Sequence, residues 1–134
     1  MATLVRNGHV MTLDPALGDL EGGDVLIEGG RITAVARGLP APAGFEIIDA
    51  AGCIVMPGLV NAHIHTWQLG LRGIGAYWVS SRDYGRNIHS GMAKLYEPED
   101  NYVANLLGAL AQLHGAVTTL FDWCHNLRKP EMTD

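Results

Sequence analysis

The fold of this chain is set by one segment, Ile54-Val-Met-Pro-Gly-Leu-Val-Asn-Ala-His-Ile-His-Thr-Trp-Gln68. The apolar residues before the histidines predict a buried strand. Side chains on a strand alternate between its two faces, so His63 and His65 are expected to project from the same face. Both imidazoles can then reach one cation at about 2.0–2.1 Å, the usual Zn–N distance. The segment therefore predicts a metal-binding pair where a strand leaves the core.

Composition limits the class of protein. The 134 residues are 48% hydrophobic and 17% charged, which suits one ordinary folded domain. The net charge of -5, without a basic run, gives no electrostatic reason to expect nucleic acid or a membrane surface as a partner. The first residues lack the order of a secretory signal, and no apolar stretch approaches the ~20 residues that span a bilayer. Cys53 and Cys124 form no CxxC pair, so we expect reduced core thiols in a cytoplasmic protein.

The first half of the chain is expected to form short strands and tight turns. Gly29-Gly30 separates two strand-like runs, and both glycines accept the positive φ of a type I′ hairpin turn. We predict a small β-sheet unit that is too small to bury a core comfortably alone. The predicted strands are Thr3–Val5, His9–Leu13, Asp24–Glu28, Arg31–Val35, Phe45–Ile48 and Cys53–Met56.

The second half is expected to form a βαβ unit. Leu59–His65 is predicted as a strand buried on both faces, and Thr66–Glu97 as a long irregular excursion. A helix follows, because Pro98 suits a first helical turn and Gly115 suits a C-cap. Ala116–Asp122 is the second predicted buried strand, so the two strands should be parallel. The helix carries a predicted core-facing stripe at helical spacing, made of Val103, Leu106, Leu107, Leu110 and Leu113.

Two polar clusters fall at the carboxyl ends of these predicted strands. His63 and His65 end the first strand, and Asp122 and His125 end the second. In open α/β sheets and in (β/α)8 barrels, this edge is where ligands bind. Asp122 is expected to hold a loop or a hydrogen bond behind the metal ligands rather than to bind the metal itself.

Three runs of residues carry a resemblance to a known family. The first-strand motif of the amidohydrolase superfamily of metal-dependent hydrolases resembles Pro57-Gly-Leu-Val-Asn-Ala-His-Ile-His65. The small β-sandwich that precedes the barrel in that family resembles Asp24-Val-Leu-Ile-Glu-Gly-Gly-Arg-Ile-Thr-Ala-Val35. Its second barrel strand resembles Gly115-Ala-Val-Thr-Thr-Leu-Phe-Asp122.

The resemblance points to one branch of the superfamily and implies a fold. Within the superfamily, the chain most resembles the cytosine/adenosine deaminase-related and triazine hydrolase branch. The residues that carry this likeness are His65-Thr-Trp-Gln68 followed by Leu71-Arg-Gly73. The implied fold class is α/β, with a β-sandwich portion over residues 1–55 and the start of a (β/α)8 TIM-like barrel over residues 56–134. A complete barrel needs ~250 residues, so we expect an N-terminal fragment of a longer protein. The catalytic acid/base and the remaining metal ligands are expected downstream, and no catalytic residue is assigned within this chain.

The resemblance also implies roles for particular side chains. His63 and His65 would bind a divalent metal, with Zn2+ expected in preference to Fe2+. Gln68 would hold the edge of a nitrogen heterocycle, since an amide can both donate and accept. Trp78 is expected to wall the pocket by stacking, and His125 to orient the substrate or the leaving group. The alternatives are an exposed loop glutamine, a core tryptophan and a capping histidine.

For a full-length parent, the expected reaction is hydrolytic deamination of a small-molecule nitrogen heterocycle. A bound cation would lower the pKa of its water toward ~7 and supply hydroxide at neutral pH. A downstream acid would protonate the leaving group. We expect the parent to be a homo-oligomer, and the fragment alone to be inactive and prone to aggregate. The alternatives left open are a cyclic amidase or triazine chlorohydrolase, a non-catalytic binding module, and one chain of a split enzyme.

Overall fold

The computed structural model describes residues 2–133 as a mixed α/β structure in two units, with the boundary between Pro57 and Gly58. The α/β class predicted from the sequence is confirmed at this level. Met1 and Asp134, the outermost residues of the two predicted segments, lie outside the described residues. Each unit contains a sheet of its own.

The first unit is a five-stranded sheet. Its strands are β1 (Ala2–Val10), β2 (Leu20–Glu28), β3 (Arg31–Ala36), β4 (Glu46–Asp49) and β5 (Ile54–Val55). β1 lies in the middle, antiparallel to β2 and parallel to β4 and β5. β3 pairs antiparallel with the edge of β2 that faces away from β1.

Two local predictions in this sheet have different outcomes. The Gly29-Gly30 hairpin is confirmed, since the two glycines have φ of 57° and 76° and β2 pairs antiparallel with β3. The prediction of two separate strands over residues 3–13 is wrong. β1 is continuous, because a register irregularity around Asn7, whose φ is 63°, absorbs the break. Leu13 has φ of 57° and lies beyond the end of β1.

The second unit places a helix between two parallel strands. Its strands are β6 (Leu59–Ile64) and β7 (Val117–Asp122), and its helices are α1 (Ser81–Tyr84) and α2 (Pro98–His114). β6 and β7 pair in parallel, so the predicted βαβ unit is confirmed. Pro98 occupies the first turn of α2 and Gly115 its C-cap, as predicted. No helix within residues 2–133 is both long and apolar enough to cross a membrane.

The core of the second unit lies in the stretch that was predicted to be irregular. That prediction is wrong, because short helical turns here bury the fully enclosed Trp67. The turns are Thr66–Leu71, Ser81–Tyr84, Gly85–His89 and Met92–Lys94. The residues buried with Trp67 are Leu71, Ile88, Ala93 and Ala104.

The buried face of α2 is not the predicted one. Its buried residues are Asn101, Ala104 and Gly108, which carry small or polar side chains. Gly108 lies so close to Thr66 that an added Cβ would be 2.4 Å from the Thr66 carbonyl oxygen. Close packing on this small-residue face turns the apolar stripe outward, and the exposed residues are Val103, Leu106, Leu107, Leu110 and Leu113.

The strands β6 and β7 are also exposed where burial was predicted. Val60 on β6 is 68% exposed, and Phe121 on β7 is 65% exposed. These two strands form a two-stranded sheet, and a sheet of that size buries little by itself. Within residues 58–133, the apolar side chains of the strands therefore lack a covering layer.

The cysteines are unpaired, as predicted. Cys124 is half-buried, but Cys53 is exposed, so the prediction of a core thiol is wrong for Cys53. The reason is local, since Cys53 N donates to Ala50 O and closes a surface turn before β5.

Candidate metal and substrate site

His63 and His65 lie together at the carboxyl end of β6. Their ring centroids are 5.0 Å apart and the ring planes are inclined by 80°. A ring nitrogen lies about 1 Å from its centroid and a Zn–N bond measures about 2.0–2.1 Å, so two rings on one cation have centroids less than about 6 Å apart. The spacing of these two rings therefore fits a shared cation.

The orientation of the His65 ring is set by a backbone carbonyl. His65 Nδ1 lies 2.7 Å from the carbonyl oxygen of Trp123. A carbonyl oxygen can only accept, so Nδ1 carries the hydrogen and Nε2 keeps its lone pair. Metal-binding histidines are commonly oriented in this way by the nitrogen that does not bind the metal. The donor chemistry at His65 thus fits a divalent metal that binds at Nε2.

The ends of β6 and β7 are joined by a carboxylate clamp formed by Asp122. Thr66 N donates to Asp122 Oδ1 at 3.1 Å, and Thr66 Oγ1 donates to Asp122 Oδ2 at 2.5 Å. In the same region, Trp123 N donates to Ile64 O at 2.9 Å. Thr66 is buried and directly follows His65, so the clamp fixes the backbone on which His65 stands.

His125 lies beside the pair. Its ring centroid is 4.1 Å from that of His65. Burial lowers the pKa of His125 below its ordinary value, and the neighbouring His65 and His89 lower it further. Its Nδ1 is buried and has no hydrogen-bond partner within residues 2–133. The ring is therefore neutral at neutral pH and has polar capacity that no described residue uses.

His89, the last residue of the turn Gly85–His89, also joins the site. Its ring centroid is 4.6 Å from that of His125 and 4.9 Å from that of Tyr84. His63, His65, His125 and His89 thus form a continuous line of imidazoles. Sequence reasoning missed His89 and Tyr84, because the turn Gly85–His89 has neither strand nor α-helical spacing.

Gln68 lies near the pair and Trp78 does not. Gln68 lines a cleft of about 260 Å³ together with His65. Trp78 lines a different cavity, of about 690 Å³, whose walls do not include the histidines of the site. Within residues 2–133, the tryptophan that contacts His125 is Trp67, with ring centroids 5.5 Å apart.

The histidine pair does not complete a coordination shell by itself. Within residues 2–133, no group of three or more histidine, cysteine or carboxylate side chains is arranged to hold a metal ion. His63 and His65 can therefore contribute at most part of a four-coordinate site.

Comparison with known proteins gives consistent likenesses. No family model matches the chain. The chain is 51% identical over 91 residues to a dihydroorotase from Pelobacter propionicus, a match that covers 68% of this chain and 18% of the dihydroorotase. It is 34% identical over 119 residues to a 5'-deoxyadenosine deaminase from Methanosarcina acetivorans, covering 89% of this chain and 27% of the deaminase.

A solved structure is also similar. The atrazine chlorohydrolase from Arthrobacter aurescens TC1, complexed with zinc, superimposes with a TM-score of 0.83 and 28% sequence identity. That match covers 90% of this chain and 28% of the chlorohydrolase. The chain therefore spans less than a third of the length of each of these relatives.

Proposed function

The chain belongs to the amidohydrolase superfamily of metal-dependent hydrolases, and we propose that it supplies part of a site that hydrolyses a C–N bond of a small nitrogen heterocycle. Deaminase, dihydroorotase and chlorohydrolase relatives support a hydrolytic activity of this class. Deamination is the reaction that we favour, because the deaminase match extends over 89% of the chain.

The proposed architecture has two parts. Residues 1–55 correspond to the β-sandwich portion of the family, and residues 56–134 to the first two strands and the helix between them of a (β/α)8 barrel. The parallel pairing of β6 and β7 around α2 supports this assignment. So does the likeness to the zinc-complexed chlorohydrolase.

We propose His63 and His65 as ligands of a divalent metal, with Zn2+ preferred over Fe2+. The single observation that carries this assignment is the bond from His65 Nδ1 to Trp123 O, which leaves Nε2 as the free donor atom. When bound, such a cation acidifies a water molecule and polarises the carbon under attack. Zn2+ is preferred because the similar chlorohydrolase is complexed with zinc and imidazole is a common zinc ligand.

The remaining roles belong to residues that hold and orient the substrate. His125, neutral and beside His65, can donate to or accept from the heterocycle or its leaving group. Gln68 offers an amide from the wall of the same cleft as His65. Trp78 keeps a proposed stacking role only in a conformation that brings it toward the histidines. The acid/base that protonates the leaving amine and the other metal ligands lie outside this chain in the proposal.

Metal binding by the purified chain tests the proposal. Titration with Zn2+ followed by calorimetry should show one site, and His63→Ala or His65→Ala should weaken it at least tenfold. His114→Ala is the matched control, because His114 lies exposed at the end of α2, and it should leave binding unchanged. Binding that survives both site substitutions would overturn the proposal.

A cyclic amide is the second candidate substrate. The 51% identity to a dihydroorotase supports this candidate. The support comes from the shorter part of the chain that this match covers. Assays of an active form that contains this chain, with Zn2+, against aminopurines, aminopyrimidines, triazines and dihydropyrimidines would separate the two classes. We expect no turnover from this chain alone, and turnover abolished by His63→Ala would contradict that expectation.

A further inference from the structure

Gln68 is held by a residue that the proposed function does not use. Gln68 Nε2 donates to the phenol oxygen of Tyr84, Oη, at 2.5 Å. Gln68 belongs to the turn Thr66–Leu71, which follows the histidine pair directly, and it shares a cleft with His65. Tyr84 is the last residue of α1, sixteen positions later in the chain. The bond therefore fixes a side chain of the cleft to a separate structural element.

Tyr84 is itself well anchored. Its ring packs against the buried cluster around Trp67 and meets the His89 ring edge-on, with centroids 4.9 Å apart and planes inclined by 85°. At the start of α1, Asp83 accepts from Ser80 N and from Ser80 Oγ, each at 3.0 Å. The phenol oxygen is thus held at a fixed position, where it accepts the bond from Gln68 Nε2.

We propose that Tyr84 is a positioning residue that fixes the direction of the Gln68 side-chain amide and so determines which edge of a heterocycle the cleft accepts. The oxygen and nitrogen of an amide lie on opposite sides of its carbon. Since Nε2 is directed at Tyr84, Oε1 is presented on the opposite side. Oε1 can only accept a hydrogen bond, so the amide selects a ligand edge that carries an N–H donor, such as a ring amine.

Preorganisation is the physical gain. A free glutamine can turn over its amide and offer either a donor or an acceptor, and it loses that freedom when a ligand binds. With Tyr84 in place, the choice is made before binding. This inference rests on the proposed function only in taking the ligand to be a nitrogen heterocycle.

The first experiment tests the bond itself in the purified chain, without metal or substrate. The chain contains two glutamines, Gln68 and Gln112, and Gln112 uses its Oε1 to accept from Asn61 Nδ2 at 2.8 Å. Side-chain amide exchange by 15N NMR should be up to about tenfold slower for Gln68 than for Gln112, because the Gln68 nitrogen donates to Tyr84. Tyr84→Phe should remove that difference while keeping the ring.

The matched control is Tyr77→Phe. Tyr77 is 94% exposed, so this variant should leave the exchange of Gln68 unchanged. Equal exchange of the two glutamines in the wild-type chain would overturn the inference, since it would mean that Tyr84 does not accept from Gln68. Slow exchange that persists in Tyr84→Phe would also overturn it.

The second experiment tests the consequence for ligands. Zinc-loaded chain is titrated with 2-aminopyrimidine and with 2-(dimethylamino)pyrimidine, which lacks the N–H donors, and the Gln68 signals are followed. The wild type should prefer the first probe, and Tyr84→Phe should reduce that preference about tenfold, as loss of one oriented hydrogen bond predicts. Equal shifts with both probes, or none with either, would overturn the selection of an N–H edge.

The two proposals fail in different ways. If the wild-type chain did not bind zinc, the proposed function would be contradicted. The amide exchange measured without metal would still test the role of Tyr84. Intact zinc binding with no effect of Tyr84→Phe on Gln68 would remove the role of Tyr84 and leave the metal site standing.

Discussion

Two regions of the βαβ unit differ: the carboxyl-terminal edge of β6 and β7, and the outer face of α2. The polar groups at the strand edge are hydrogen-bonded, whereas the apolar side chains on the helix face are not buried. At the strand edge, Asp122 is bonded to Thr66, and the Trp123 carbonyl is bonded to His65. On α2, the apolar stripe is exposed, with Leu113 at 60%. The hydrogen bonds that orient the candidate site are therefore formed within residues 58–133, whereas the apolar stripe of α2 is left exposed in the same range.

This difference separates two physical requirements of the site. Its geometry depends on short-range polar bonds between strand ends, which residues 58–133 supply. Its stability also depends on apolar burial, at roughly 25 cal/mol for each Å² removed from water, and that burial is unfinished on the stripe of α2. Substitutions at the two places should therefore have very different effects.

The largest effect is expected from Asp122→Ala. The change leaves the buried Thr66 N without its acceptor, at a cost of about 1–3 kcal/mol, while Thr66 Oγ1 can still donate to Asn105 Oδ1 at 2.7 Å. Urea unfolding of the chain should show this loss, and zinc affinity should fall about 10–100-fold because the support of His65 is lost. Asp122→Asn should cost less, because its amide keeps one acceptor oxygen.

The control for this prediction is Asp19→Ala, at an exposed loop position of the first unit. It should change neither the unfolding of the second unit nor zinc affinity. If Asp122→Ala were as mild as Asp19→Ala, the clamp would have no role in the site.

The next effect contrasts the two faces of α2 directly. Gly108→Ala places a methyl group where the Thr66 carbonyl oxygen would be 2.4 Å away, so we expect a loss of about 1–3 kcal/mol despite the better helix propensity of alanine. Leu110→Ala, on the exposed stripe, should cost less than about 0.5 kcal/mol in the same unfolding experiment. A larger loss for Leu110→Ala would mean that the stripe is buried against something in solution.

A smaller effect is expected at the exposed stripe, and it concerns association rather than folding. Replacing Leu110 and Leu113 by lysine should reduce self-association of the chain, because an exposed apolar patch is a contact surface. The thermal midpoint should move by no more than a degree or two, since neither side chain is buried in this unit. Sedimentation velocity at several concentrations measures the first quantity, and unchanged association would contradict the prediction.

The smallest effect concerns acid. Hydrogen bonds from the Ser80 side chain, and then from its backbone, hold the pKa of the Asp83 carboxyl below its ordinary value of 3.8. The folded pKa is lowered, so this stabilisation is present above pH 3.8 and is lost as the pH falls through the folded value. Asp83→Asn should slightly reduce the fall in the free energy of unfolding at acid pH. The dependence of this free energy on pH near pH 7 should not change. An identical acid limb in both proteins would contradict it.

The features that the sequence predicted correctly are those with local causes. The hairpin at Gly29-Gly30 follows from two glycines that accept positive φ. The bounds of α2 follow from Pro98 at its start and Gly115 at its end. The closeness of His63 and His65 follows from the alternation of side chains along a strand.

The features that the sequence did not predict depend on distant contacts. Which face of α2 is buried is decided by the fit of Gly108 against Thr66, forty-two positions earlier, and hydrophobic spacing alone favours the leucines. His89 reaches His125 through a turn without regular periodicity. The pairing of Gln68 with Tyr84 likewise needs the folded excursion to bring them together.

The most direct test of the metal site is the protonation state of the imidazole nitrogens, read by long-range 1H–15N NMR of the chain with and without Zn2+. We expect His65 to carry its hydrogen on Nδ1 before metal is added, and Zn2+ then to shift Nε2 of His65 together with a ring nitrogen of His63. The exposed His114 should not respond. A hydrogen on Nε2 of His65, or a pair of rings that ignores Zn2+, would contradict it.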